Sequence, residues 1–113
     1  MNFKLTEDQL RIQQLAKDLV AKEIAPNAKD WDKGEDFTPI YKMFKEKFAP
    51  LGLMGLPYPT EYGGAGADQI SYALASIEIN KACASTGCAY SVAISLNGWP
   101  IFAYGTEEQR RKY

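Results

Sequence analysis

Histidine is missing from this 113-residue chain. Its absence excludes every catalytic triad built on imidazole and removes the commonest ligand for zinc or iron. Cysteine is scarce, with Cys83 and Cys88 the two present. Two thiols without a histidine partner make a poor metal site, and a reducing compartment disfavours a disulfide, so both are expected as ordinary small buried residues. No apolar run approaches the ~20 residues that cross a bilayer. The opening Met1-Asn2-Phe3-Lys4-Leu5-Thr6-Glu7-Asp8 lacks the basic-then-apolar order of a signal peptide. The chain therefore reads as intracellular and cytoplasmic. Charge of one sign is lacking too: 13 basic against 14 acidic side chains leave a net charge of -1. That balance gives no electrostatic reason to expect nucleic acid or an anionic membrane as partner.

What is present is material for one core. Hydrophobic residues make up 46% of the sequence, and a chain of this length buries roughly two-thirds of its unfolded surface. One domain over residues 1–113 is expected. Thr6 and Gln9 form a capping box, Leu5 and Leu10 stand where a hydrophobic staple would, and Ile12, Leu15, Ala16, Leu19 and Val20 recur at helical spacing. These predict an amphipathic helix from Thr6 to Ile24, ended or bent by Pro26. A short helix is expected within 27–34, with Trp31 inward. Thr38-Pro39 reads as an N-cap followed by proline at the first helical position, and Ile40, Met43, Phe44 and Phe48 anchor that helix up to Gly52.

Gly52, Gly55, Pro57, Pro59, Gly63, Gly64 and Gly66 then specify a structured loop. Leu53, Met54, Leu56, Tyr58 and Tyr62 make it apolar enough to pack. Asp68 caps the next helix, with Ile70, Ala73, Leu74, Ile77 and Lys81 on one side and Ala82 and Ala84 continuing it, until Ser85-Thr86-Gly87 breaks it. Cys88 to Leu96 carries no charge, a pattern expected of a helix buried all round. Asn97-Gly98 interrupts that run, Pro100 opens a short helix through Tyr104, and Gly105 stops it. Thr106 and Gln109 form a second capping box. The helix they start has barely two turns before Tyr113, which suggests a longer parent protein.

Few residues invite a chemical reading. Gly63-Gly64-Ala65-Gly66 has neither the lysine nor the Ser/Thr of a phosphate-binding loop, and no strand precedes it, so it reads as a tight turn whose amides could touch a ligand only in a larger assembly. Glu78 could face the bundle interior, but a single carboxylate on a helix is usually solvated or paired. The run from Cys88 to Leu96 has two readings: packing within a helical bundle, or lining a narrow apolar channel in which small residues leave room for a chain-like ligand. No acid, base and nucleophile converge.

Taken in order, these features resemble a known family. Leu5-Thr6-Glu7-Asp8-Gln9 opens the chain. Leu51-Gly52-Leu53-Met54-Gly55-Leu56 follows the Thr38 helix, and then comes Pro59-Thr60-Glu61-Tyr62-Gly63-Gly64-Ala65-Gly66. Near the end stand Pro100-Ile101-Phe102, Gly105-Thr106-Glu107-Glu108-Gln109 and Lys112-Tyr113. The whole chain resembles the N-terminal helical domain of the acyl-CoA dehydrogenases. Pro50, and the stiff Leu56-Pro57-Tyr58-Pro59 lead-in to the loop, depart from the usual pattern.

The resemblance implies an all-α helical bundle of about five or six helices. It implies a parent enzyme with a middle β-domain and a C-terminal bundle, both absent here. In that parent FAD accepts hydride from an acyl-CoA whose α-proton is removed by a glutamate, and an electron-transferring flavoprotein reoxidises the flavin. The catalytic base and the FAD site lie outside this chain, so none of its residues is expected to be catalytic and no cofactor is expected on it alone. Its implied role is one wall of the acyl pocket, with Cys88, Ser91, Val92 and Ser95 as the substrate contacts. The alternative is a free-standing helical module that associates with itself or with another subunit through exposed apolar faces.

Overall fold

A computed structural model describes residues 3–113. Among them the elements are helices α1 (Glu7–Leu19), α2 (Ala28–Lys33), α3 (Thr38–Met43), α4 (Gln69–Ala82), α5 (Ala84–Val92), α6 (Trp99–Tyr104) and α7 (Glu107–Lys112), with no strand. The all-α bundle is therefore as expected. Its extents are 40 × 37 × 21 Å. The thin dimension is about two helix diameters, so a helix in this slab has one covered side and one open side.

The first helix begins as its sequence dictates. Thr6 Oγ1 accepts the Gln9 backbone N–H (3.2 Å) and Gln9 Oε1 accepts the Thr6 N–H (2.9 Å). Leu10 of the expected staple is about half exposed. Past Leu19 the helix continues to Ile24, but as a π-turn in which the Ala25 N–H reaches the Val20 carbonyl at 2.9 Å. Two more π-turns extend α3 over Phe44–Phe48 and α5 over Ala93–Gly98.

The Gln9 side chain does a second job. It is buried, and its Nε2 donates to Asp68 Oδ2 at 2.6 Å, while Asp68 Oδ1 accepts the Ser71 N–H at 2.8 Å. The N-caps of α1 and α4 are thus one hydrogen-bonded unit. Gln9→Ala should cost about 1–2 kcal/mol, since it removes one bond of the capping box and leaves Asp68 one donor short. The Ser71 backbone N–H, and then the Gln9 amide, hold the Asp68 carboxyl below its ordinary pKa. Their contribution is complete above the unfolded value of about 3.9 and fades as pH falls through the lower folded value. The urea midpoint should therefore fall further between neutral and acid pH for the wild type than for Asp68→Asn.

The next helix start differs from expectation. Phe37, not Thr38, is the N-cap of α3; Thr38 lies inside the helix and its N–H is held by Asp36 Oδ1 at 2.9 Å. Asp36 takes the capping role because its carboxylate stands two residues ahead of that donor. Pro50 falls in a 3₁₀ turn, Ala49–Leu51, where its missing N–H costs little, and Gly52 ends the helix in the left-handed region at φ 75°.

The side of α4 that packs is not the one expected. Its buried residues are Ser71, Ala75, Glu78 and Ile79, whereas Ile70 and Ile77 are about half exposed. The small Ser71 and Ala75 allow α1, with its fully buried Ala16, to approach closely. The break after α4 is also displaced. Cys83 alone is extended (φ −157°, ψ 106°), and Ser85-Thr86-Gly87 lie within α5. Gly87 serves contact rather than termination: a Cβ there would stand 2.3 Å from Asn80 Cγ.

The core gathers around one aromatic ring. Tyr90 is fully buried, packs against Phe44, Phe48 and Tyr72, and donates its hydroxyl to the Leu53 carbonyl at 2.8 Å. Ile24, Leu53, Leu56, Ile79 and Ile94 complete it.

Candidate functional site

The run Cys88 to Leu96 is not buried all round. Tyr90 and Ile94 face the core; Cys88, Ala89, Ser95 and Leu96 are exposed, and Ser91 and Val92 are half-buried. An uncharged helix in a slab two helices thick leaves its outer side open. The expected contacts Cys88, Ser91, Val92 and Ser95 therefore lie at helical spacing outside the core. The Ser95 hydroxyl donates to the Ser91 carbonyl at 2.7 Å, so that donor is spent within the helix and the strip is less polar than its composition. Leu96 and Trp99 extend the apolar exposure beyond it. Neither thiol is buried: Cys83 is half-buried and Cys88 exposed. Burial pushes the Cys83 thiol up, but hydrogen bonds from Ser85 and Thr86 outweigh it and hold the pKa below its ordinary value.

The glycine-rich loop is structured, as expected, through its own backbone. The N–H groups of Gly63, Gly64, Ala65, Gly66 and Ala67 go to the carbonyls of Thr60, Pro59, Gly55, Tyr58 and Leu56, at 2.8–3.0 Å. Five consecutive amides are therefore consumed, and no nest remains for a phosphate. This removes the expectation that these amides could touch a ligand. Tyr58 fastens the loop to the π-turn that extends α5 by donating its hydroxyl to the Ile94 carbonyl. Tyr62 fastens it to α7 by donating to Glu107 Oε2 (2.8 Å), while Arg111 pairs with Glu107 Oε1 (2.7 Å). The Tyr62 hydrogen bond leads the causes that hold the Glu107 carboxyl below its ordinary pKa.

Glu78 is paired. Its Oε1 accepts from Lys81 Nζ (2.8 Å) and from Gln13 Nε2 (3.1 Å), and the Lys81 bond is the main cause of its lowered pKa. A carboxylate kept charged and engaged is a poor proton acceptor. Among the described residues no group of three or more acidic, cysteine or histidine side chains could hold a metal, and no helix is long and apolar enough to cross a membrane.

The N-terminal domain model of the acyl-CoA dehydrogenases matches residues 6–113. The chain belongs to this family. A probable acyl-CoA dehydrogenase of Bacillus subtilis is 49% identical over 113 residues, which are 100% of this chain and 29% of that protein. An acyl-CoA dehydrogenase of Bacillus anthracis, solved in complex with FAD, superposes with a TM-score of 0.89 at 28% identity, over 97% of this chain and 18% of that one. The butyryl-CoA dehydrogenase of Megasphaera elsdenii gives 0.85 at 32% identity, over 100% of this chain and 30% of that one. The chain thus spans less than a third of each of these acyl-CoA dehydrogenases. Cavities of about 300 to 500 Å³ open on the described residues, and the amides of the glycine-rich loop are taken by the loop's own carbonyls.

Sequence reasoning missed Tyr58, Gly98 and Arg110 as a group. A Cβ on Gly98 would lie 2.6 Å from the Tyr58 hydroxyl. Forty residues separate these two in the chain, and no local pattern announces that contact.

Proposed function

We propose that this chain is the N-terminal domain of a flavin-dependent enzyme that dehydrogenates an acyl-CoA thioester between its α and β carbons, and that it forms one wall of the acyl pocket. The observation that carries this reading is the open strip of α5, small and uncharged, in a domain of the acyl-CoA dehydrogenase family. Cys88, Ser91, Val92 and Ser95 contribute shape. Their short side chains leave space beside the helix for a methylene chain, and an apolar wall rewards each methylene it covers. The chain supplies no acid, base or flavin cradle. The redox chemistry belongs to FAD held elsewhere in the whole cytoplasmic enzyme, with an electron-transferring flavoprotein as the acceptor of its electrons.

Ser91→Phe in the full-length enzyme tests this. A ring on the strip should shorten the pocket, so that kcat/KM for a long acyl-CoA falls about tenfold further than for butyryl-CoA. Equal losses on both substrates, in a variant that melts like the wild type, would remove the strip from the pocket.

A second reading rests on the apolar exposure itself. Leu96 (67%), Trp99 (51%) and Tyr104 (87%) leave the α5–α6 side uncovered, and a second copy of the domain could cover it instead. Light scattering of the 113-residue chain at high concentration separates the two: a strict monomer eliminates self-association.

A further inference from the structure

The cavity of about 300 Å³ between the glycine-rich loop, α6 and α7 is separate from the α5 strip, since none of Cys88, Ser91, Val92 and Ser95 lines it. Its floor is backbone, from Gly52, Gly55, Gly63 and Gly64, and its walls carry the rings of Tyr58, Tyr62 and Phe102. Tyr58 packs against Phe102 with ring centroids 5.6 Å apart, and Tyr62 meets Phe102 edge-on at 6.2 Å. The hydroxyls of both tyrosines are engaged, with the Ile94 carbonyl and with Glu107.

One lining side chain is cationic, and it makes no hydrogen bond or ion pair among the described residues, although its charge favours the charged form of the Glu107 carboxylate, to which it is not bonded. Arg110 stands over the Phe102 ring, its guanidinium carbon 5.9 Å from the centroid. Its Nε is shut off from water without a hydrogen-bond partner, and no ion pair to Arg110 is found among the described residues, whereas the neighbouring Arg111 is paired with Glu107. A buried N–H on a charged group is costly to leave unmatched. A carboxylate supplies two acceptor oxygens in the spacing of the guanidinium fork. A phosphate would need donors beyond one guanidinium, and the nearby loop amides are already used.

We infer that this cavity binds a small carboxylate with an apolar body, its oxygens on the Arg110 guanidinium and its body between the rings of Tyr58, Tyr62 and Phe102. The occupant is an aryl or short alkyl acid, because about 300 Å³ is at the lower limit for ligand sites.

Titrating the 113-residue chain with phenylacetate, followed by NMR, tests this. The Arg110 Nε–H resonance should shift downfield, the Gly64 amide should move with it, and both should saturate with a Kd on the order of millimolar, as suits so small a ligand. Phenylacetamide has the same body without the charge and should bind about tenfold more weakly or less. Arg110→Met should abolish saturation. Arg110→Lys keeps the charge but loses the fork, and should weaken binding several-fold. The inference is overturned if phenylacetate gives no saturable shift, or if acid and amide bind equally. The second comparison needs no variant and so stands even if Arg110→Met fails to fold.

Discussion

Gly64→Ala is expected to lose at least ~3 kcal/mol of stability, because the new methyl has nowhere to go. A Cβ on Gly64 would lie 2.0 Å from the Tyr58 carbonyl oxygen, 2.4 Å from its carbon and 2.7 Å from its Cβ. Two of those atoms are backbone. The same carbonyl oxygen accepts the Gly66 N–H at 2.8 Å, so relief requires opening the loop's own ladder. In a domain of this size the melting temperature should drop by roughly 10 °C or more. Gly63→Ala is the control. At φ 84° it carries backbone strain, but nothing lies within 4 Å of its Cβ, so about 1 kcal/mol is expected. Comparable losses in the two variants, measured by urea unfolding, would mean that close approach at Gly64 is not what holds the loop.

The second large effect belongs to Tyr90. Truncation to alanine removes a fully buried ring from contact with Phe44, Phe48 and Tyr72 and should cost about 3–5 kcal/mol, a large part of the ~5–15 kcal/mol typical of a domain. Tyr90→Phe keeps the ring and strips the Leu53 carbonyl of its donor, for about 1–3 kcal/mol. Burial pushes the Tyr90 hydroxyl pKa well above its ordinary value. Its neutral form is therefore favoured by folding. That contribution is complete below the unfolded value of about 10 and is lost as pH rises toward the folded one. Equilibrium unfolding across alkaline pH should show a shallower decline for Tyr90→Phe than for the wild type. Tyr58, also raised by burial, keeps that decline from vanishing. An unchanged decline would place the sensitivity elsewhere.

Local rules were legible in the sequence and nonlocal ones were not. Both Thr-x-x-Gln boxes form with both of their bonds, because a cap depends on atoms three residues apart. The Gly52 stop and the self-packed loop follow from glycine and proline in the same way. The inward side of α4 was misread because Ile70 and Ile77 are more apolar than Ser71 and Ala75; close approach to α1 favours small size over hydrophobicity. The α5 run was misread as wholly buried because composition cannot say how many layers a bundle has. At the candidate site, the strip Cys88, Ser91, Val92 and Ser95 could be named from spacing and resemblance. Arg110 could not, since on sequence alone it is one of several cations on a basic helix end. Its missing acceptor is a fact of three dimensions.

The three π-turns bear on how the lengths of such chains vary. Each closes a hydrogen bond over five residues instead of four, as from Ala25 back to Val20, Ala49 back to Phe44 and Trp99 back to Ile94. A turn of that kind houses an additional residue without leaving the helix. Removing one residue there returns the turn to ordinary α-helix. Removing one from the middle of α4 would rotate every later side chain by about 100° and take Ile79 out of the core. A one-residue deletion is therefore expected to be borne best at the π-turns, where the bundle absorbs a change of length at little cost to the register of the rest.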